Sequence, residues 1–250
     1  MPVKSEAQQA LGAIHRFRSG WIAARTAQVN TVRGLLREFG FLIPEGVEKV
    51  APQVRLLVED ADSKVADSLR PMLLAACEEI ESLDLRIKEA GKQLETVAEE
   101  NPIARLICSA PGVGVIVGTA LIAFVGDVDR FASGRHFASY FGLTPRERSS
   151  GNIRRLGGIS KRGDRYLRML FIHGARSVLG PLNSSAVGGN SHAKRAKSPD
   201  RLRTWALALQ SRSRHNKAAV ALANKIARIV WAIWKNGRAY ESIPPATVAA

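Results

Sequence analysis

Between Arg105 and Asp127 the chain carries no charged side chain. A run of that length has two physical homes, a bilayer or the interior of a folded protein. Pro111-Gly112-Val113-Gly114 interrupts it near its start, and Gly118 and Gly126 follow. The break predicts two short helices and a tight turn buried as core, with a membrane span as the alternative. Met1-Pro-Val-Lys-Ser-Glu has no apolar region, so no secretory signal is expected.

Helical periodicity dominates the rest. Leu11, Ile14, Phe17, Trp21 and Ile22, then Val29, Val32, Leu35 and Leu36, predict a helix over 4–39 with Gly40 as its C′ residue. Pro44, Gly46 and Pro52 mark 41–56 as a linker. Over 72–100, Ile80, Leu83, Ile87, Ala90, Leu94 and Val97 follow a heptad seam. That seam fits a coiled coil that dimerises or spaces two modules, and equally an amphipathic helix packed inside one domain. Asn101-Pro102 ends it. Helices are then predicted on either side of the Pro-Gly-Val-Gly turn, after a Ser133 cap up to Gly142, after an Asp164 cap up to Gly180-Pro181, and over about 216–236. The polar stretch 144–163 reads as a loop, 182–200 as a mobile loop, and the tail beyond Ile243-Pro244-Pro245 as disordered. With no strand run, the expected class is mainly α. The expected organisation is a helical segment and linker over 1–71, a coiled-coil helix over 72–104, a compact helical domain over 105–243 and a tail over 244–250.

Charge separates the two ends. The whole chain carries 37 Lys and Arg against 22 Asp and Glu. Residues 1–100 hold 13 basic and 16 acidic side chains, so the 24 basic and 6 acidic ones beyond them leave that part at +18. A slightly acidic front joined to a strongly basic back is the pattern of a scaffold carrying a nucleic-acid surface. A hydrophobic content of 46% excludes a chain disordered throughout. Cys77 and Cys108 lack any CxxC spacing, which argues against a disulfide framework or a cysteine-rich zinc site.

Three groupings bear on chemistry. Gly112 and Gly114 sit where a helix-hairpin-helix lets backbone amides meet a DNA phosphate, though a glycine turn also serves tight helix packing. Arg146, Arg148, Arg154, Arg155, Lys161, Arg162, Arg165 and Arg168 surround Ser149 and Ser150 in one basic stretch. Arginines hold phosphate oxygens in bidentate fashion and stabilise the charge that develops when a hydroxyl attacks a phosphodiester. From composition alone, a passive phosphate-binding loop explains that stretch better than a nucleophile does. The acids of the basic part, Asp127, Asp129, Glu147, Asp164, Asp200 and Glu241, make no self-contained metal site. The five histidines have no ligand spacing. Trp205, Trp231 and Trp234 have the spacing of core residues more than of a base-stacking platform.

The strings PGVGVIVGTALIAFVGDVDRF, SGRHFASYFGLTPRERSSG, RRLGGISKRGDRYLRMLFIHGARSVL and AAVALANKIARIVWAIWKNGRAY, in that order, resemble the C-terminal half of bacterial insertion-sequence transposases of the "one-ten" family, its "eleven-eleven" subgroup in particular. The first 40 residues resemble that family's stretch before the coiled coil. The resemblance implies an RNA-guided DNA recombinase with a RuvC-like domain holding Mg²⁺ on four acids, a coiled coil, and a helical transposase domain whose serine becomes linked to DNA. Ser150, the serine before glycine, matches that position, with Ser149 one residue away. DNA, a structured guide RNA and a second copy of the chain are the implied partners, in a bacterial cytoplasm at the nucleoid. Two departures stand out. None of the four acids can be carried over, since the match starts past them, and GPLNSSAVGGNS reads as an insertion. The sequence therefore leads to the expectation of an N-terminally truncated transposase that binds DNA without cutting it. The competing expectations are a non-catalytic nucleic-acid-binding relic or regulator that pairs with full-length enzyme, and a coiled-coil scaffold.

Overall fold

The computed structural model describes residues 3–60, 62–63, 65–180 and 200–242. The GPLNSSAVGGNS insertion beyond Gly180, nearly all of the expected mobile loop and the tail lie outside the described residues. The chain forms two compact units, Ser5–Thr96 and Val97–Ala250, the latter with Met1–Lys4. Both are built from helices.

The first unit starts with α1, Glu6–Glu38. Ser5 and Gln8 form a reciprocal capping box that satisfies two free amides. At its far end Phe41 N–H donates to Leu36 O and Gly40 N–H to Arg37 O, with Gly40 at φ +84. These are the two bonds of a Schellman motif, which needs a left-handed residue. A short 3₁₀ turn, Val47–Lys49, leads into α2, Val50–Glu59. The expected linker over 41–56 thus contains the start of a helix. Pro52 lies in the first turn of α2, where its missing N–H costs nothing. A second 3₁₀ turn precedes α3, Arg70–Glu100. Val29, Val32 and Leu36 of α1, Val50 and Val54 of α2, and Leu73, Cys77 and Ile80 of α3 share one apolar cluster. An Arg25–Asp84 ion pair lies beyond that cluster, toward the start of α1 and the end of α3, so the two helices run antiparallel. Arg55 of α2 reaches Glu81 of α3 at 2.8 Å. Ile80, Leu83, Ile87, Ala90 and Leu94, the heptad positions, are buried within the single chain.

His15 is the one charged-type side chain buried in α1, at 1% exposure. Burial, and then the nearby Arg18 charge, hold its pKa down to about 4.

The second unit contains α4 (Pro102–Ile107), α5 (Val115–Phe124), α6 (Gly134–Tyr140), β1 (Pro145–Glu147), β2 (Leu156–Ile159), α7 (Arg165–Leu179), α8 (Arg201–Arg212) and α9 (His215–Asn236). Asn101 caps α4 by accepting from Ile103 and Ala104 N–H. Ser133 and Asp164 cap α6 and α7 as the sequence predicts. α8 carries Trp205, which the sequence places in a C-terminal helix, but its short apolar face leaves its bounds unmarked. Asp200 caps it and Leu202 and Ala206 bury it. The core gathers around α9 through Leu222, Ile226, Val230 and Ile233, with Phe137 and Phe141 at the end of α6 and Leu167 and Phe171 on α7. The charge-free run is core: Val117, Ala120, Leu121 and Ala123 are buried. Among the described residues no helix is long and apolar enough to cross a membrane. Trp231 donates its indole N–H to Phe131 O at 3.2 Å, and Trp205 and Trp234 pack on the same core.

Gly112 and Gly174 meet backbone to backbone. A Cβ on Gly174 would stand 2.0 Å from Gly112 O, and one on Gly112 would stand 2.5 Å from Gly174 O. Gly174→Ala is therefore expected to destabilise the second unit by about 3 kcal/mol, the upper range for overpacking, read as a fall in the urea midpoint. The first unit has an acid sensitivity. Folded His15 resists the proton that the unfolded chain accepts near pH 6.5, so its contribution is present above that pH and declines as pH falls toward 4. The loss reaches on the order of 3 kcal/mol. Thermal unfolding between pH 7 and 4.5 should show this decline, and His15→Leu should flatten it.

Candidate nucleic-acid interface

The basic stretch 144–163 is not a loop but a two-stranded antiparallel hairpin. Pro145 pairs with Ile159 and Glu147 with Leu156, with a register shift between them. Ser150 and Ile153 exchange backbone hydrogen bonds and close the tip around Gly151-Asn152. Gly151 has φ +56 whereas Asn152 stays at negative φ, as in a type II′ turn with glycine at its first central position. The strands show no apolar alternation because residues 145–158 are exposed throughout, and this hid them from a periodicity reading. The two-residue Gly-Asn connection was the available signal.

Backbone contacts fix the base of this hairpin. α6 ends in a Schellman motif, with Leu143 N–H donating to Ala138 O and Gly142 N–H to Ser139 O. Gly142 has φ +68, and a Cβ there would lie 2.1 Å from Arg162 O. Gly163 has φ +88, and a Cβ there would lie 1.9 Å from Tyr140 O. Ser160 N–H donates to Thr144 O at 2.8 Å and Lys161 N–H to Gly142 O at 3.1 Å. Lys161 itself takes a left-handed φ of 56°. Arg168, partly buried on α7, donates from Nη1 to Phe141 O at 3.0 Å and to Arg162 O at 3.4 Å. Its role is thereby structural.

At the other end the two serines differ. Ser149 Oγ donates to Glu147 Oε1 at 2.7 Å and accepts from Arg155 N–H at 3.2 Å. Arg154 Nε lies 3.4 Å from the same carboxylate oxygen. Ser149 is thus part of a cross-strand clasp. Ser150, exposed at the turn, makes no side-chain hydrogen bond to the described residues. Arg146, Arg148, Arg154, Arg155, Lys161, Arg162 and Arg165 are all exposed along the hairpin and the start of α7. Arg146 leans on Ser160 O at 3.4 Å, and Glu147 is the one acid between the strands.

Gly112 and Gly114 stand on a different element, the turn between α4 and α5. Gly112, with φ +74, is there for the close approach to Gly174. Gly114 is exposed at the N-cap of α5, without a side-chain cap. Among the described residues no side chain caps that amide end.

Five acids of this unit are engaged. Asp127 accepts from Asp129 N–H, Asp129 pairs with Lys235, Glu147 holds Ser149, Asp164 caps α7, and Asp200 caps α8 while accepting from Tyr240 OH at 2.7 Å. Among the described residues no three His, Cys, Asp or Glu side chains converge.

Residues 104–188 match the transposase IS116/IS110/IS902 family. The chain is 36% identical over 241 residues to a probable family 20 transposase of Pseudomonas aeruginosa, covering 96% of this chain and 68% of that protein. It is 34% identical over 237 residues to the transposase for insertion sequence element IS1111A of Coxiella burnetii, covering 95% and 62%. It is 30% identical over 237 residues to the transposase for insertion sequence element IS1328 of Yersinia enterocolitica, covering 95% and 66%. The chain therefore spans about two thirds of the length of these relatives.

Glu147→Gln should loosen the clasp without unfolding the domain, since an exposed pair contributes under about 1 kcal/mol. Amide exchange at Arg148 and Arg155 should quicken several-fold with the melting temperature unchanged. Unaltered exchange would show that the clasp does not order the tip.

Proposed function

We propose that this chain, which belongs to the transposase IS116/IS110/IS902 family, acts on DNA in the transposition of an insertion sequence, with Ser150 as the nucleophile. One observation carries the reading. The hairpin holds the Ser149 hydroxyl in a clasp while leaving that of Ser150 exposed at a turn with exposed Arg148, Arg154 and Arg155 on its two sides and four more exposed cations along the hairpin and the start of α7. Arg146, Arg148, Arg154, Arg155, Lys161, Arg162 and Arg165 would seat the backbone, their charges offsetting the negative charge that builds on the phosphate. Ser150 Oγ attacks phosphorus and loses its proton. An O–P bond forms, the bond to one bridging oxygen breaks, and the released strand end takes a proton. The phosphodiester is kept as a protein–DNA ester, available for a second strand.

The Gly114 amide end of α5 would add a sequence-independent phosphate contact. The family resemblance adds a structured guide RNA, a second copy of the chain and Mg²⁺ as requirements of cleavage. A second reading is a protein that binds nucleic acid and does not cut it, which the exposed cations of the hairpin support equally.

Two measurements test these readings, and the second separates them. Affinity for duplex DNA carrying an end of the element should fall steeply between 50 and 200 mM salt, because each phosphate contact contributes about 0.9 to the logarithmic slope. A flat salt response contradicts both. In reactions that yield covalent protein–DNA adducts, Ser150→Ala should abolish them, by about 10³-fold or more, and keep affinity within about twofold. Ser149→Ala should retain adducts. If the wild-type chain binds DNA and forms no adduct, the non-catalytic reading stands; adducts that persist in Ser150→Ala overturn Ser150 as the nucleophile.

A further inference from the structure

A second cation cluster, carried by helices and not by the hairpin, lies where α8 begins beside α9. Arg201 opens α8, while Lys225 and Arg228 lie one turn apart on α9. Lys225 Nζ stands 3.9 Å above the ring of Trp205, also on α8. Burial, and then the charges of Arg201 and Arg228, push the Lys225 ammonium pKa down, and Asp200 alone opposes them. Asp200 is engaged elsewhere, by Tyr240 OH and Leu202 N–H. Among the described residues none of the three cations has an ion pair. The fold thus holds like charges together at a cost that a bound polyanion would remove. Their backbone setting is firm. Gly134 of α6 sits against the main chain of Arg228, 3.3 Å from where a Cβ would be, and the Asn224 amide donates to Leu143 O at 3.2 Å.

We propose that Arg201, Lys225 and Arg228 form a second phosphate-binding site, which takes the sugar-phosphate backbone of duplex DNA without reading bases. It rests on the reading of the chain as a DNA-binding protein. Duplex is favoured over single strands because the site offers no stacking platform. Lys225 covers one face of Trp205, whose ring is otherwise packed on the core. Without a free aromatic face, contact is limited to phosphates.

The test is fluorescence anisotropy of the full chain on a 30-base-pair duplex, a single strand and a folded RNA across a salt series. Arg201→Gln/Lys225→Met/Arg228→Gln should lower the duplex salt slope by about 2 to 3 and weaken affinity at least tenfold at moderate salt. Arg228→Gln alone, on an exposed side chain, should lower the slope by about 1 and guards against misfolding of the triple variant. Lys225→Arg should retain binding. Removing three exposed cations of the first unit, Arg16, Lys88 and Lys92, controls for net charge and should leave the slope unchanged. If the cluster variants keep the wild-type slope, or lose no more than this control, the second site is wrong while the DNA-binding reading survives. If their loss appears on RNA alone, the duplex assignment is overturned. If the wild-type chain itself shows no salt-dependent affinity, both readings fall.

Discussion

The basic hairpin of this protein depends on a place where main chain touches main chain. The hairpin has no core of its own, since nearly every side chain along it is exposed, and a free two-stranded hairpin is marginal in water. Its order must come from its base. Gly142 and Gly163 allow the end of α6 and the return strand to pack with no side chain between them, and Arg168 ties off two carbonyls there. Those contacts leave no room for a Cβ, so the hairpin leaves the helical core in one direction. The same device recurs at Gly112 and Gly174, where the charge-free core turn meets α7.

Charge is divided along the same lines. Asp127, Asp129, Asp164 and Asp200 serve as caps, turn formers or the partner of a single cation, which leaves the arginines of the hairpin with little compensation. Glu147 is the exception that lies among them, and it is turned to Ser149 and Arg154. The result is a strongly basic, weakly neutralised surface on a rigid base, with one hydroxyl held and its neighbour exposed. Electrostatics of this kind gives affinity for any phosphate backbone, whereas chemistry depends on where one oxygen stands.

Long-period features were legible in the sequence. α1, α3 and α9 announce themselves by apolar spacing, and Gly40, Asn101, Ser133 and Asp164 mark ends that the structure confirms. Periodicity gave the buried face of α3 but not its partner, because a heptad seam reads the same whether it is covered by its own chain or another. α2 was obscured by Pro52, which is harmless in a first turn. The hairpin was obscured because exposed arginine-rich strands have no apolar alternation. The Ser149–Glu147 clasp was not legible at all, for it depends on a register and a bulge that only the folded strands define. Nor was the meeting of Arg201 with Lys225 and Arg228, which belong to different helices.

The central claim is that the exposed hairpin of the second unit, on its glycine-locked base, is what meets DNA. Photo-crosslinking of the intact chain to duplex DNA carrying a reactive phosphate analogue, followed by mass spectrometry of the crosslinked peptides, addresses it most directly. Crosslinks should concentrate on residues 146–155 around Ser150. Crosslinks confined to the first unit, 5–96, with the hairpin unlabelled, would contradict the account.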